Sequence, residues 1–235
     1  MTRRRQGAKV LFAGPPGRPA GQTFGTTHTG KATNAMNVAE RKAALRLAMR
    51  ERRRQLTPEA RCDAGERLAQ VLLAWPVLGP VEVLGAFLPM GLEIDTGPFC
   101  ERWLAQGRRL ALPRVEDDGA AMSFFEVRDT GRDITLGKFR CPEPRVPACA
   151  PVDPAELPVI LLPGLAFDRE GWRLGQGQGH YDRMLGAWAA AGLDPVRVAV
   201  AYDFQVVAEV PADPSWDRPA HWIATPGGVA RAGGA

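Results

Sequence analysis

The chain has 235 residues, 45% hydrophobic and 24% charged, ordinary values for a soluble globular protein and enough for one α/β domain with a sizeable core. No run approaches the roughly eighteen uninterrupted apolar residues of a membrane span; the longest, LPVILLPGLAF, is broken by Pro158 and Pro163. The net charge of +4 misleads, because residues 1–39 hold no Asp or Glu and carry six cations (Arg3, Arg4, Arg5, Lys9, Arg18, Lys31), leaving the body at −2 and removing the charge argument for a nucleic-acid partner.

In chain order, residues 1–39 are rich in Gly, Pro and Thr, lack any period and read as a disordered basic tail. Three readings stay open: an interaction tail, a transit peptide, or a segment upstream of a natural start at Met36. Strong helix formers predict a helix from Val38 to about Arg54. Thr57 and Pro58, as N-cap and N1, start a second that runs to about Trp75. VEVLGAFLPM is the first strand; Asp95 or Thr96 then caps a helix ending at Gly107. RRLALPRV and AMSFFEVR are strands, and ITLGKFRCPEP is a loop ending in a Pro-Glu-Pro turn. LPVILLPGLAFD is the most apolar strand and the central one. A glycine loop, RLGQGQG, leads into a helix from His180 to Gly192, then the strand VRVAVAYD, a short helix or turn at FQVVAEVP, and a last strand in PAHWIATPGG, with 229–235 a loose end. Strands alternating with helices predict one α/β domain over 40–228, with a mostly parallel sheet covered on both faces.

Cysteines 62, 100, 141 and 149 form neither CxxC nor Cys-His metal spacing, and read as free thiols in a reducing compartment. Chemistry concentrates around the loop. Gly175, Gly177 and Gly179 before a helix let backbone N–H groups surround an anion, usually phosphate, with Arg173 and Arg183 on either side. The spacing is neither that of a dinucleotide fingerprint nor that of a P-loop, so a plain glycine turn competes. Asp182 on the first helical turn can complement the helix dipole or bind magnesium beside a phosphate, and Asp217 is a second such carboxylate. Glu93, beyond a strand's carboxyl end, is either a substrate contact or a capping acid. Lys42, Arg46, Arg50 and Arg53 share a helix face, which is either solvated or a positive wall for polyphosphate. His180 reads as local packing more than as a general base.

Taken together, KAALR, FLPMGLEIDT, LALPRV, PEP, ILLPGLAFDREGWRLGQGQGHYDRML, PSWD and WIATPGG resemble the 5-formyltetrahydrofolate cyclo-ligase family, in order over about residues 40–228. The resemblance implies a three-layer α/β sandwich around a central, mostly parallel sheet. It implies conversion of 5-formyltetrahydrofolate and ATP, with Mg²⁺, into 5,10-methenyltetrahydrofolate, ADP and phosphate. It also implies a cytoplasmic monomer with no nucleic-acid or membrane partner.

Carried over by position, Lys42, Arg46, Arg173, Gly175, Gly177, Gly179, His180 and Tyr181 would bind ATP. Glu93 and Tyr181 would bind the folate, Arg183 and Tyr181 would act in catalysis, and Asp182 and Asp217 would hold the metal. Two residues depart from the family pattern: His180 replaces the first of two tyrosines, and Trp216 replaces a histidine before the second aspartate. The expected result is retained activity with altered folate affinity. The alternatives are an enzyme of this fold using ATP on another small substrate, or a non-catalytic folate- or nucleotide-binding protein.

Overall fold

The computed structural model describes residues 37–116, 119, 121–137 and 140–234. The readings of Met36 and of the tail up to it lie outside the described residues, whereas residues 37–39, counted with the tail, are ordered as the cap and first residues of a helix.

Helix α1 (Val38–Arg54) begins with a reciprocal cap: Asn37 Oδ1 accepts from the Glu40 amide and Glu40 Oε2 from the Asn37 amide, each at 2.9 Å. Thr57 caps α2 (Pro58–Ala74) through the Ala60 amide, as the Thr-Pro pair predicts. Strand β1 (Val83–Gly85), α3 (Gly97–Ala105), β2 (Arg109–Val115) and β3 (Met122–Val127) follow. Next come β4 (Ile134–Leu136), β5 (Pro142–Pro144), β6 (Val159–Leu162), β7 (Ala166–Asp168), β8 (Arg173–Leu174) and α4 (His180–Ala190). The chain closes with β9 (Val196–Val200), β10 (Val206–Val207), β11 (Trp222–Thr225) and β12 (Gly228–Arg231).

The main sheet has the order β12-β11-β9-β6-β1-β2-β3, parallel throughout its interior and antiparallel only at the two edge strands. Alternation along β6 builds the layers. Val159 and Leu161 join Leu68 and Leu72 of α2 and Phe99 and Trp103 of α3 in one apolar cluster. Ile160 and Leu162 pack with Met184, Leu185 and Trp188 of α4 in another. Helices on both faces make the expected three-layer α/β sandwich.

Three local expectations are corrected. LPVILLPGLAFD is two strands. Pro163 has no N–H to donate, so β6 ends there and β7 joins a separate small sheet of order β10-β7-β8. The Pro-Glu-Pro segment is a strand, β5, antiparallel to β4, at a sheet edge where proline's missing donor costs no ladder bond. The end beyond Gly228 is not loose, because β12 pairs with β11 over four residues.

Candidate active site

Segments leaving the carboxyl ends of β1 and β6 line a cleft of ≈ 500 Å³. This is where parallel α/β sheets collect ligands, since the crossover loops diverge there. One wall is the inner face of α1. A second is the loop from β8 to α4. Pro113, Val115 and Met122 of β2 and β3 give an apolar third.

The α1 wall comes from spacing. Lys42, Arg46 and Arg50 recur every fourth residue and all line the cleft. Arg46 Nε donates to the Gly175 carbonyl at 3.0 Å, Arg50 Nη2 to Gln176 Oε1 at 3.0 Å, and Lys42 Nζ lies 2.9 Å from Asp217 Oδ2. Arg46 and Arg50 therefore hold the glycine loop in place as well as charging the cleft, while Lys42 ties α1 to the Asp217 segment. Within the loop, Gly177 and Gly179 have φ of 108° and 69°, where a side chain is strained. Gly179 is the N-cap of α4 and offers no side-chain cap, so the first N–H groups of α4 keep their positive end free of a side-chain acceptor at the cap.

Arg53, grouped with this face by spacing, does not belong to the wall. It is 4% exposed, donates Nη2 to the Gly164 carbonyl, and places Nη1 3.9 Å from Glu93 Oε1. Glu93 is itself 8% exposed and lines the cleft. Its Oε2 accepts from the Met90 amide at 3.1 Å, and Gln176 hydrogen-bonds to it. Burial holds its carboxyl above the ordinary glutamate value, against the pull of the Met90 amide, Arg53, Gln176 and Arg173. Gln176 thus joins Arg50 on the basic wall to Glu93. Gln176 does not stand out in the sequence, since a glutamine between glycines carries no local signal, and the spacing that singled out Arg53 gives no sign of its burial against Glu93.

Arg173 is also buried. Its guanidinium donates Nη2 to Asp182 Oδ1 at 2.8 Å and Nη1 to the Pro163 carbonyl at 3.3 Å, and stands 5.5 Å from the centre of the Tyr181 ring. Burial, and next the Glu93 charge, push the Tyr181 hydroxyl well above its ordinary value, so it is a neutral donor. Across the cleft, Cys141 Sγ lies 3.1 Å from Met90 Sδ, and burial raises its thiol to about 11. That thiol is no nucleophile at neutral pH.

Eleven of the twelve anticipated site residues line this one cleft: Lys42, Arg46, Glu93, Arg173, Gly175, Gly177, Gly179, His180, Tyr181, Asp182 and Asp217. Arg183 is exposed and turned onto the loop, donating to the Gln178 carbonyl at 2.8 Å and to His180 Nδ1 at 2.9 Å. A guanidinium only donates, so Nδ1 accepts and the ring proton sits on Nε2. Asp182 is less accessible than a first helical turn suggests, because Arg173 covers it.

The model of the 5-formyltetrahydrofolate cyclo-ligase family matches residues 38–226. The chain belongs to this family. Among its cyclo-ligase relatives, the 5-formyltetrahydrofolate cyclo-ligase of Escherichia coli K12 is 31% identical over 181 residues, covering 77% of this chain and 98% of that protein. The enzyme of the same name from Mycolicibacterium smegmatis is 34% identical over 179 residues, covering 74% of this chain and 88% of that one. The solved structure of Aquifex aeolicus 5,10-methenyltetrahydrofolate synthetase aligns with a TM-score of 0.70 at 31% identity, over 83% of this chain and 94% of that chain. In this cyclo-ligase-family chain the two departures fall at the cleft: His180 at the start of α4, and Trp216, 55% exposed, on the lining beside Asp217.

Proposed function

We propose that the chain catalyses the ATP- and Mg²⁺-dependent cyclisation of 5-formyltetrahydrofolate to 5,10-methenyltetrahydrofolate, releasing ADP and phosphate. The observation that carries this reading is the two-ended cleft of a cyclo-ligase-family chain. A glycine loop and a basic helix face form one end, a buried carboxylate the other, and Gln176 of the loop bridges the two. Lys42, Arg46, Arg173 and the backbone of Gly175, Gly177 and Gly179 would take the triphosphate, with His180 and Tyr181 beside it. Glu93 would accept paired N–H bonds from the pterin's aminopyrimidinone ring, and the Tyr181 hydroxyl would donate to the folate.

In the reaction, the γ-phosphoryl passes to the formyl oxygen and ADP leaves. N10 then attacks the formyl carbon, loses its proton, and the carbon–oxygen bond breaks with release of phosphate. No protein nucleophile is needed, which agrees with a cleft whose one thiol is held protonated. Positioning and charge stabilisation do most of the work. Arg183 contributes by holding Gln178 and His180, and thereby the loop.

Asp182 and Asp217 suit a divalent cation. Arg173 engages one oxygen of Asp182, and Lys42 with the Asp213 amide engages one of Asp217, so each retains a second oxygen. Mg²⁺ ordinarily takes one or two carboxylates together with phosphates and water. A pair therefore suffices, although no group of three or more metal-ligating side chains stands together among the described residues. When bound, Mg²⁺ would neutralise charge on the transferring phosphates. A cytoplasmic monomer without nucleic-acid or membrane partners completes the reading; four cysteines free of disulfides suit a reducing compartment.

The test is absorbance at the methenyl-folate band after mixing protein, 5-formyltetrahydrofolate, Mg²⁺ and ATP. An ATP-dependent rise is expected. ATP binding without a rise would move the site to another substrate or to simple binding.

A further inference from the structure

We infer that Arg53 is a positioning residue for the folate end of the cleft, holding Glu93 aimed and charged toward the substrate. This rests on the proposed cyclo-ligase reading.

A buried guanidinium is costly unless it is held and neutralised. Arg53 is held on one side only by the Gly164 carbonyl, which Gln205 Nε2 also reaches at 2.9 Å, and its nearest carboxylate is Glu93 at 3.9 Å. Its Nε is buried without a hydrogen-bond partner among the described residues. A side chain placed for packing alone would not leave a cation in that state. The carbonyl fixes where the charge sits, and that place faces Oε1 of Glu93, while the Met90 amide takes Oε2. Arg173, which takes the adjacent Pro163 carbonyl, repeats the design with Asp182. Two buried arginines thus grip neighbouring carbonyls of the turn after β6, and each backs a carboxylate that lines the cleft.

The consequence concerns the proton on Glu93. Paired N–H donors of a pterin need the ionised form. Burial favours the protonated form, and the groups facing Glu93 are the cations Arg53 and Arg173 and the neutral Tyr181, Cys141 and Tyr202. With two cations against burial, loss of one moves the balance toward the acid. An opposite charge within ~4–6 Å lowers a carboxyl pKa by about one to three units. Removing Arg53 therefore raises the pH at which Glu93 gains its proton, and folate binding fails at a higher pH than in the wild type.

The experiment is calorimetric titration of the full chain with 5-formyltetrahydrofolate, without ATP, across pH, for wild type, Arg53→Lys and Arg53→Met, each also with Glu93→Gln. ATP affinity is measured in parallel. The low-pH limb of folate affinity is expected to move up by about one unit or more in Arg53→Met. Arg53→Lys, whose shorter reach moves the charge off the carboxylate, should give a smaller move in the same direction. ATP affinity should stay at the wild-type value, and with Glu93→Gln the limb should vanish in every background. If Arg53→Met does not fold, the Arg53→Lys limb decides. An unmoved limb with folate still bound overturns the inference alone, as does a parallel fall in ATP and folate affinity, which marks a merely structural role. A wild type that binds no folate overturns the cyclo-ligase reading and the inference with it.

Discussion

The two ends of the cleft solve the same problem, presenting charge to a ligand, in opposite ways. At the basic end, Lys42, Arg46 and Arg50 lie on a helix face that keeps partial contact with water; Arg46 and Arg50 each make one replaceable bond to the glycine loop, and Lys42 one to Asp217. At the other end, Glu93 and Arg53 are both buried and reach separate backbone groups. Exposed cations are weakly coupled and screened by solvent, whereas a buried pair depends on each member being present. The first end should tolerate substitution gradually; the second should fail all at once.

The largest effect tests whether burial matters more than role. Arg173→Met leaves Asp182 covered without its cation, and should cost about 3–5 kcal/mol of stability as well as ATP binding. Chemical denaturation with ATP titration reads both, and a stable variant that loses only ATP would place Arg173 with the exposed cations. By the same reasoning Asp182→Asn should lower stability together with turnover, because it strands Arg173.

Next, Glu93→Gln removes a charge-assisted acceptor, worth about 1.5–3 kcal/mol. Folate affinity should fall roughly ten- to a hundredfold with ATP affinity kept, read by titrating each ligand separately. A fall in both would merge the two ends into one unit.

A smaller effect belongs to the loop. At Gly177 an added Cβ would meet nothing closer than the Arg46 guanidinium at 3.9 Å, so Gly177→Ala acts through φ of 108° alone. It should cost about 1–3 kcal/mol and raise the KM for ATP more than that for folate. Unchanged melting temperature and kinetics would show the loop free to rearrange.

The smallest effect is on the ligand-free protein. Glu93 is held above the ordinary value of 4.5, so the folded state keeps its proton where the unfolded chain has lost it. Its contribution to stability is complete below that value and declines as pH rises through the folded value. Melting temperature should therefore fall with rising pH in the wild type relative to Glu93→Gln, by about 2–4 °C for each kcal/mol involved. Parallel curves would mean that Arg53, Arg173 and the Met90 amide fully offset burial.

Much of this was legible beforehand for physical reasons particular to each element. Asn37, Thr57 and Pro58 signal their helices because a cap acts within one turn. The glycines at 177 and 179 signal unusual backbone because little else adopts it at so small a cost. The division of LPVILLPGLAFD and the pairing of β5 and β12 were not legible, since strand partners are chosen from distant segments.

By itself, the sequence determined the capped helices, the α/β alternation, the conformation-demanding glycine loop and the membership in a family whose motifs lie in order along the chain. Those properties are local, or are carried by residue identity. Only the tertiary structure decided which of four arginines and lysines on one helix face is buried and which carboxylate it meets. It set Arg53 against Glu93 and on Gly164, 111 residues away in the chain, because burial is a property of packed segments and no short stretch of sequence contains it.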